Sequence, residues 1–371
     1  MEFIDLKAQQ KLIRRNIDNR INKILNEGKY ILGDEVSELE SKLSEFSGSQ
    51  FSVGCSNGTD ALMLALMALG IGSNDGVITV PFTYIATLEA IAAVGAVPII
   101  IDVYDSTFNM NPELIEKAIK YSDVKIKAIM PVDIFGLPAR YRMINDIAKK
   151  YDLYVIGDAA QSFGASKDNI KVGTFADITT TSFFPAKPLG CYGDGGAIFT
   201  DSEQFKNKLH SLRVHGKGID KYDNIAIGMN SRLDTLQAGI LLEKLAIFSE
   251  EIHARNRIAN KYRELLKDLP LTFQYIPEGY ISVYAQFSIV FESNVTRNMI
   301  QTELSNHGIP SVIYYGVSGH MQTGYKYLNY REGDFPVSEH LSKNILSLPM
   351  HPYLEDSEIE KITSIIIKKL S

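Results

Sequence analysis

Residues 153–200 read LYVIGDAAQSFGASKDNIKVGTFADITTTSFFPAKPLGCYGDGGAIFT, and their pattern is the clearest indication of the fold class. It contains three short runs rich in apolar and β-branched residues, LYVIGD, ITTTSFF and GAIFT, separated by small and turn-forming residues. The runs are continuous rather than alternating in polarity, which is typical of strands covered on both faces. The stretch therefore predicts three strands of a buried sheet.

Similar runs recur towards the N-terminus. They are FSVGC from residue 51, VITV from 77, VPIIID from 97 and IKAIMPV from 126. Helical segments separate them, the clearest being DALMLALMAL, Asp60 to Leu69, which Gly70 closes. This alternation predicts an α/β fold whose large domain is built on a mostly parallel, doubly wound sheet of mixed direction. Such sheets bind ligands at the carboxyl ends of their strands.

The pattern changes in the second half of the chain. A loop rich in Gly and polar residues, His215 to Asn230, precedes apolar residues at helical spacing from Leu233 to Ile252. We interpret these as one long helix that links two domains. The predicted domains are residues 1–235, a large cofactor-binding domain, and residues 236–371, a smaller α+β domain that includes a strand at Ser311 to Tyr315.

Composition excludes several classes of function. The 371 residues carry 38 Lys and Arg against 44 Asp and Glu, a net charge of −6, so no excess positive charge favours nucleic acid. Cys55 and Cys191 are too few for a disulfide framework or a four-cysteine zinc site, and the seven histidines lack metal-binding spacing. No membrane span or leader is visible. We expect a cytoplasmic protein with no metal, no nucleic-acid partner and no membrane partner.

The segment after the first predicted strand, SNGTDAL, leads into a helix. The free N–H groups and the dipole at a helix N-terminus suit a phosphate group, and Gly58 and Thr59 are the candidate donors. A plain turn with a helix cap selects the same residues and is the commoner explanation of this fragment taken alone.

Two further candidates follow later strands. Asp158 ends the apolar run LYVIGD, and a buried carboxylate needs a partner such as a cationic nitrogen, although a helix cap would also explain it. Gln161 follows one turn later and would face the same space. Lys187 lies between two prolines and before several glycines. Most lysines are surface charges, but a desolvated lysine has a lowered pKa and forms Schiff bases with aldehydes.

A phosphate cradle, an acid that can pair with a pyridinium nitrogen and a lysine amine at one sheet edge together indicate a pyridoxal 5′-phosphate site. PFTYIAT, after the second predicted strand, supplies Tyr84, which would stack on the cofactor ring. A core aromatic residue at a helix start is the alternative for Tyr84.

Blocks along nearly the whole chain resemble one family, the sugar aminotransferases of the DegT/DnrJ/EryC1/StrS group, which have the type I aspartate-aminotransferase fold. The blocks are FIDLKAQQ (3–10), YILGDEVSELE (30–40), SNGTDAL, FTYIAT, DAAQSFGA, SFFPAKPLGCYGDGGAIFT, NSRLDTLQA (230–238) and SLPMHPYL (347–354). They look most like the branch that aminates C3 of nucleotide-linked 3-keto sugars.

The resemblance implies roles for the candidate residues. Lys187 would hold the cofactor covalently, and Asp158 would keep its pyridine nitrogen protonated. The other residues implied to contact the cofactor are Gly58, Thr59, Tyr84, Gln161, Ser182 and Asn230. Asn230 would come from the other subunit, which implies a homodimer with shared active sites. The resemblance also implies L-glutamate as the amino donor, since this is the usual donor of the family.

The implied substrate contacts are Arg232 of the partner chain, Tyr314 and His320. Relatives that act on 3-keto glucuronate have His-Tyr-Pro where this chain reads Tyr314-Tyr315-Gly316. A neutral phenol gives no charge-assisted hydrogen bond to a carboxylate. We therefore expect a neutral acceptor, a dTDP-3-keto-6-deoxyhexose, converted to a 3-amino sugar for surface glycans.

Several alternatives stay open. In the first, the acceptor is UDP-3-keto-N-acetylglucosaminuronate, and in the second it is a 4-keto sugar. In the third, the chain is a non-catalytic regulator that binds the cofactor or a sugar. A related sugar dehydratase would carry histidine in place of Lys187. A nicotinamide enzyme would need G-x-G-x-x-G where the chain reads SNGTD.

Overall fold

The computed structural model describes residues 1–220 and 222–370. Its helices are α1 (Leu6–Glu27), α2 (Asp34–Ser47), α3 (Gly58–Ala68), α4 (Ala86–Ala93), α5 (Ile115–Tyr121), α6 (Tyr141–Tyr151), α7 (Glu203–Leu212), α8 (Thr235–Leu245), α9 (Phe248–Leu266), α10 (Asn294–Asn306), α11 (Pro336–Asn344) and α12 (Asp356–Leu370). Its strands are β1 (Phe51–Cys55), β2 (Asp75–Thr79), β3 (Val97–Ile100), β4 (Lys125–Ile129), β5 (Tyr154–Asp158), β6 (Ser166–Lys167), β7 (Ile170–Lys171), β8 (Ile178–Ser182), β9 (Gly196–Thr200), β10 (Leu271–Phe273), β11 (Tyr280–Ile281), β12 (Phe287–Phe291) and β13 (Ile345–Leu348).

A seven-stranded sheet in the order β1-β9-β8-β5-β4-β2-β3 forms the centre of the large part. Strand β9 runs antiparallel to both neighbours, and the other strands run parallel to one another. This confirms the mostly parallel sheet predicted from the apolar runs. All seven runs are strands, so the residues that follow them lie at the sheet edges where the prediction put them.

Apolar side chains cover both faces of this sheet. In β2, Val77 belongs to an apolar cluster with Leu64 of α3, whereas its neighbour Ile78 belongs to a different cluster with Ile144 of α6. All four side chains are fully buried. Successive strand residues point to opposite faces, so an uninterrupted apolar run is what a sheet between two helical layers requires.

The C-terminal part contains the antiparallel sheet β10-β12-β13, and a second small sheet pairs β11 with β6 and β7. Two sequence predictions were wrong here. The long helix is two helices, because the Ile247 N–H donates to the Lys244 carbonyl, 3.2 Å, in a tighter turn that separates α8 from α9. The strand predicted at 311–315 is a single bridge between Val312 and Ser347.

The division of the chain after residue 235 stays a prediction. Helix α8, which follows that point, packs against α1 and α2, while the apolar cluster of the C-terminal part begins in α9 at Ile258. Among the described residues, no helix is long and apolar enough to span a membrane.

Candidate active site

Asp158 is the last residue of β5 and is 4% exposed. The Thr87 hydroxyl donates to its Oδ2 at 2.8 Å, and the Ala160 N–H donates to its Oδ1 at 3.2 Å. Burial raises the pKa of Asp158, while these two donors and the charge of Lys187 oppose the rise. Asp158 is therefore a buried acid whose charged form is supported by hydrogen bonds and by one nearby cation.

Lys187 lies in the loop that joins β8 to β9. Its backbone N–H donates to the Phe184 carbonyl at 2.8 Å. The side-chain amine of Lys244 donates to the carbonyl of Gly190, three residues after Lys187, and this bond fixes the same loop. Burial lowers the pKa of the Lys187 amine to about 8, and Asp158 opposes this effect. An amine with this pKa is available as a nucleophile close to neutral pH.

Helix α3 begins at Gly58, directly after β1. The Asp60 N–H donates to the Asn57 side chain, 2.8 Å, so the N–H groups of Gly58 and Thr59 lie at the open end of the helix. A Cβ at position 58 would lie 2.6 Å from the Cβ of Ser182, the last residue of β8. Only glycine leaves this space open, and the resulting cradle fits a phosphate group.

Gln161 is held rigidly at the same edge and is 3% exposed. Its Oε1 accepts from the Phe135 N–H at 2.8 Å, and its Nε2 donates to the Tyr315 hydroxyl at 3.1 Å. The ring of Tyr84 lies 6.1 Å from that of Tyr315 and is 57% exposed. Tyr84 therefore lies on the open side, where a planar ligand can stack on it.

Asn230 and Arg232 lie together on a segment near the cradle. The Arg232 guanidinium donates to the Asn230 side chain, and the Ser231 hydroxyl between them lies 3.0 Å from the Ser56 hydroxyl. Asn230 is exposed and Arg232 is half-buried. In this single chain neither side chain contacts Asp158 or Lys187, so their role at the site stays a prediction.

The structure does not support a substrate contact by His320. Its side chain has no exposed surface, its Nε2 lies 3.2 Å from Glu339, and its ring packs 4.7 Å from that of Phe335. The side chain is enclosed by Glu339 and Phe335 in this structure, and its contact with a substrate stays a prediction. Tyr314 is half-buried, and its ring lies 6.2 Å from that of Phe3 and 5.6 Å from that of Tyr315.

Sequence reasoning missed Thr87 and Tyr315. Thr87 ends the FTYIAT block four residues after Thr83, and the two hydroxyls are 2.9 Å apart. A pair of threonines at that spacing on a helix start was a usable signal. Tyr315, and not its neighbour Tyr314, contacts Gln161, and sequence order does not show which of two adjacent tyrosines faces that side chain.

The donor set fits pyridoxal 5′-phosphate. A buried acid, a desolvated lysine amine and a glycine-lined helix N-terminus lie at one edge of the sheet, which is what its pyridine nitrogen, aldehyde and phosphate require.

Comparisons with known proteins agree with this geometry. The model of the DegT/DnrJ/EryC1/StrS aminotransferase family matches residues 11–367. The chain is 44% identical to the UDP-2-acetamido-2-deoxy-3-oxo-D-glucuronate aminotransferase of Pseudomonas aeruginosa, covering 98% of each chain. A solved aminotransferase from Brucella abortus is 48% identical, with a TM-score of 0.96 over 100% of both chains. NtdA of Bacillus subtilis, solved with bound cofactor PMP, is 30% identical, with a TM-score of 0.90 over 99% of this chain and 83% of that one. The chain therefore belongs to the DegT/DnrJ/EryC1/StrS aminotransferase family, whose cofactor is pyridoxal 5′-phosphate.

Proposed function

We propose that the chain transfers the amino group of L-glutamate to the C3 keto group of a nucleotide-linked sugar. The observation that carries the proposal is the position of Asp158, Lys187 and the Gly58 cradle at one sheet edge, in a member of a sugar aminotransferase family. The name of the Pseudomonas aeruginosa relative, which describes a 3-oxo sugar, supports C3 as the aminated carbon.

Each residue of the site has a task in this reaction. When bound, pyridoxal phosphate supplies an electron sink for the bonding pair released at the α-carbon of the donor. The Asp158 carboxylate holds the proton on the pyridine nitrogen. The Lys187 amine, whose pKa burial lowers to about 8, would take the proton released at the α-carbon of the donor and return it two atoms away, at the carbon that carried the aldehyde oxygen of the cofactor. Gln161 and Tyr84 orient the ring, and the N–H groups of Gly58 and Thr59 hold the phosphate.

The proposed acceptor is a neutral dTDP-linked 3-keto-6-deoxyhexose. The rings packed against Tyr314, those of Phe3 and Tyr315, carry no positive charge that would favour a sugar carboxylate. UDP-linked 3-keto-N-acetylglucosaminuronate is the second candidate, and the 44% identity to the Pseudomonas aeruginosa enzyme favours it. We propose the cytoplasm as the compartment, because Cys55 and Cys191 are free, buried thiols.

The acceptor is tested by a glutamate-dependent assay over dTDP- and UDP-linked 3-keto and 4-keto sugars, with the product identified by mass and NMR. Amination of only the uronate would replace the first candidate by the second, and amination only at C4 would refute the branch assignment. Lys187→Ala should bind the cofactor and fail to turn over. A variant that kept the parent's rate would refute the role of Lys187.

The proposal includes a homodimer in which Asn230 and Arg232 complete the partner's site. The loop that precedes them exposes Ile219, Ile225 and Ile227, each more than two-thirds accessible, and apolar side chains on this scale favour burial in an interface.

Subunit mixing tests the shared site. Lys187→Ala and Asn230→Ala subunits are each expected to be inactive, and unfolding and refolding them together should restore up to about a quarter of the parent activity, because a heterodimer holds one intact site. No recovery, with heterodimers demonstrated by mass, would show that Asn230 serves its own chain.

A further inference from the structure

Asp133 is a second buried acid beside Asp158, and the mechanism above does not use it. It follows β4 in the segment PVDIFG, and its exposure is 0%. Its backbone N–H donates to the Asp158 carbonyl at 3.0 Å, and Val132 pairs with Asp158 in a parallel bridge. The two acids are therefore fixed side by side at the carboxyl ends of neighbouring strands.

The carboxyl group of Asp133 has hydrogen-bond donors but no cation. Its Oδ1 accepts from the Ala139 N–H at 2.8 Å and its Oδ2 from the Ser162 hydroxyl at 2.7 Å. The titratable groups that face it are Asp158 from β5, Tyr141 from α6 and Tyr280 from β11, and no lysine or arginine of the described residues forms an ion pair with it.

Burial dominates the ionisation of this group. Burial and the negative charge of Asp158 raise the pKa of Asp133, the hydrogen-bond donors oppose the rise, and the net result is a pKa of about 7. The carboxyl group therefore changes charge near neutral pH.

The loop that Asp133 begins also holds Gln161. The Ser162 hydroxyl bonded to Asp133 belongs to the residue after Gln161, and the Gln161 Oε1 accepts from the Phe135 N–H. Phe135 has φ 59°, in the left-handed region that a bulky residue rarely adopts. The Asn109 side chain, which accepts from the Ile134 N–H at 2.9 Å, helps to keep this turn in place. The two loops thus exchange hydrogen bonds in both directions.

We propose that Asp133 is a positioning residue of the aminotransferase site, which fixes Gln161 through Ser162 and places a second carboxyl group beside Asp158. Its ionised form favours protonated groups around the cofactor, and its neutral form does not. The inference rests on the cofactor part of the proposed function and is independent of the sugar.

The test follows the visible absorption of the bound cofactor against pH in the holoenzyme, without substrate. In Asp133→Asn, the amide keeps one acceptor for the Ala139 N–H and can donate to the Ser162 hydroxyl, so the fold is preserved while the charge is lost. The parent and Asp133→Asn should have the same spectrum below about pH 6. Above about pH 8, the variant should lose the protonated form of the cofactor at a pH lower by about half a unit or more.

Asp102→Asn is the matched control. Asp102 is also buried, at 8% exposed, but accepts from the Val337 and Ser338 N–H groups at the start of α11, away from the site. This control should follow the parent at every pH. A spectral difference between Asp133→Asn and the parent that is equal at all pH values, or absent, would overturn the charge role.

Ser162→Ala separates positioning from charge. It keeps the Asp133 carboxyl group, so the spectrum should still depend on pH, with the change moved to higher pH because a donor that lowers the pKa of Asp133 is lost. The dissociation constant of the cofactor should rise about threefold or more, because Gln161 is held less firmly. Unchanged affinity would overturn the positioning role. If the parent shows the spectral behaviour but no reaction with glutamate, the proposed function fails while this inference stands.

Discussion

Replacing Thr87 by valine should weaken the reaction with the amino donor while leaving the fold in place. Valine has nearly the shape of threonine, and Thr87 is 1% exposed, so the substitution removes a hydroxyl without opening a cavity. That hydroxyl donates to Asp158 Oδ2 at 2.8 Å. The Thr83 hydroxyl lies 2.9 Å from the Thr87 hydroxyl and forms a second hydrogen bond in the same series.

The expected magnitude follows from this one bond. A hydrogen bond to a charged buried group contributes about 1.5–3 kcal/mol. Its loss would raise the pKa of Asp158 by about one to two units, at 1.36 kcal/mol per unit. The proton that Asp158 should hold on the pyridine nitrogen would then shift towards the carboxylate, and the ring would withdraw electrons less strongly. We expect the reaction with glutamate to slow about tenfold or more.

The assay is a single-turnover measurement of the bound cofactor's absorption after glutamate is added to the holoenzyme. Thr83→Val is the matched control, because it removes the more distant bond and leaves the donor to Asp158. It should slow the reaction less than about threefold. If Thr87→Val and Thr83→Val had equal rates, or if Thr87→Val only lowered thermal stability, the Thr87 hydroxyl would not act through Asp158.

Two further predictions concern the cradle and the loop of Lys187. Gly58→Ala should weaken cofactor binding about tenfold or more in a fluorescence titration, because its Cβ would lie 2.6 Å from that of Ser182. Gly72→Ala is the control and should bind the cofactor like the parent, because the atom nearest to its Cβ would be 3.5 Å away. Lys244 has a pKa lowered by burial to about 8 from 10.5, so it costs stability below pH 8 and this cost disappears as the pH rises towards 10.5. The free energy of unfolding of the parent should therefore rise by about 2 kcal/mol relative to that of Lys244→Met between pH 7.5 and pH 9.5, measured by urea unfolding. Parallel changes in the two proteins would contradict this.

The positions of the residues that follow the strands could be predicted, because strand formation depends on the local pattern of apolar residues. Each apolar run became a strand, and the carboxyl ends of parallel strands share an edge, so Asp158 and Ser182 had to lie near each other. The break between α8 and α9 could not be predicted in this way. No proline or glycine marks it, and the apolar spacing from Leu233 to Ile252 continues across it.

The environment of each side chain was harder to predict than its place along the chain. The sequence predicts a substrate contact for His320. In the structure its side chain is buried by Phe335 and Glu339, which lie 15 and 19 residues later in the chain. Likewise, no residue near Asp133 in the sequence indicates that its carboxyl group is buried. Its partner Ser162 is 29 residues away and reaches it only because two loops meet at the edge of the sheet.

Local patterns in the sequence are enough to predict the sheet, the lysine amine, the buried acid and the helix N-terminus at Gly58, because strand formation, helix N-termini and strand ends are properties of short segments. The contacts that orient these groups join segments far apart in the sequence, so they are visible only in the folded chain. Gln161 meets Tyr315 across 154 residues, and Thr87 meets Asp158 across 71. Such bonds form where folding brings distant loops into one buried space, and there an unpaired polar group is costly enough to require each partner.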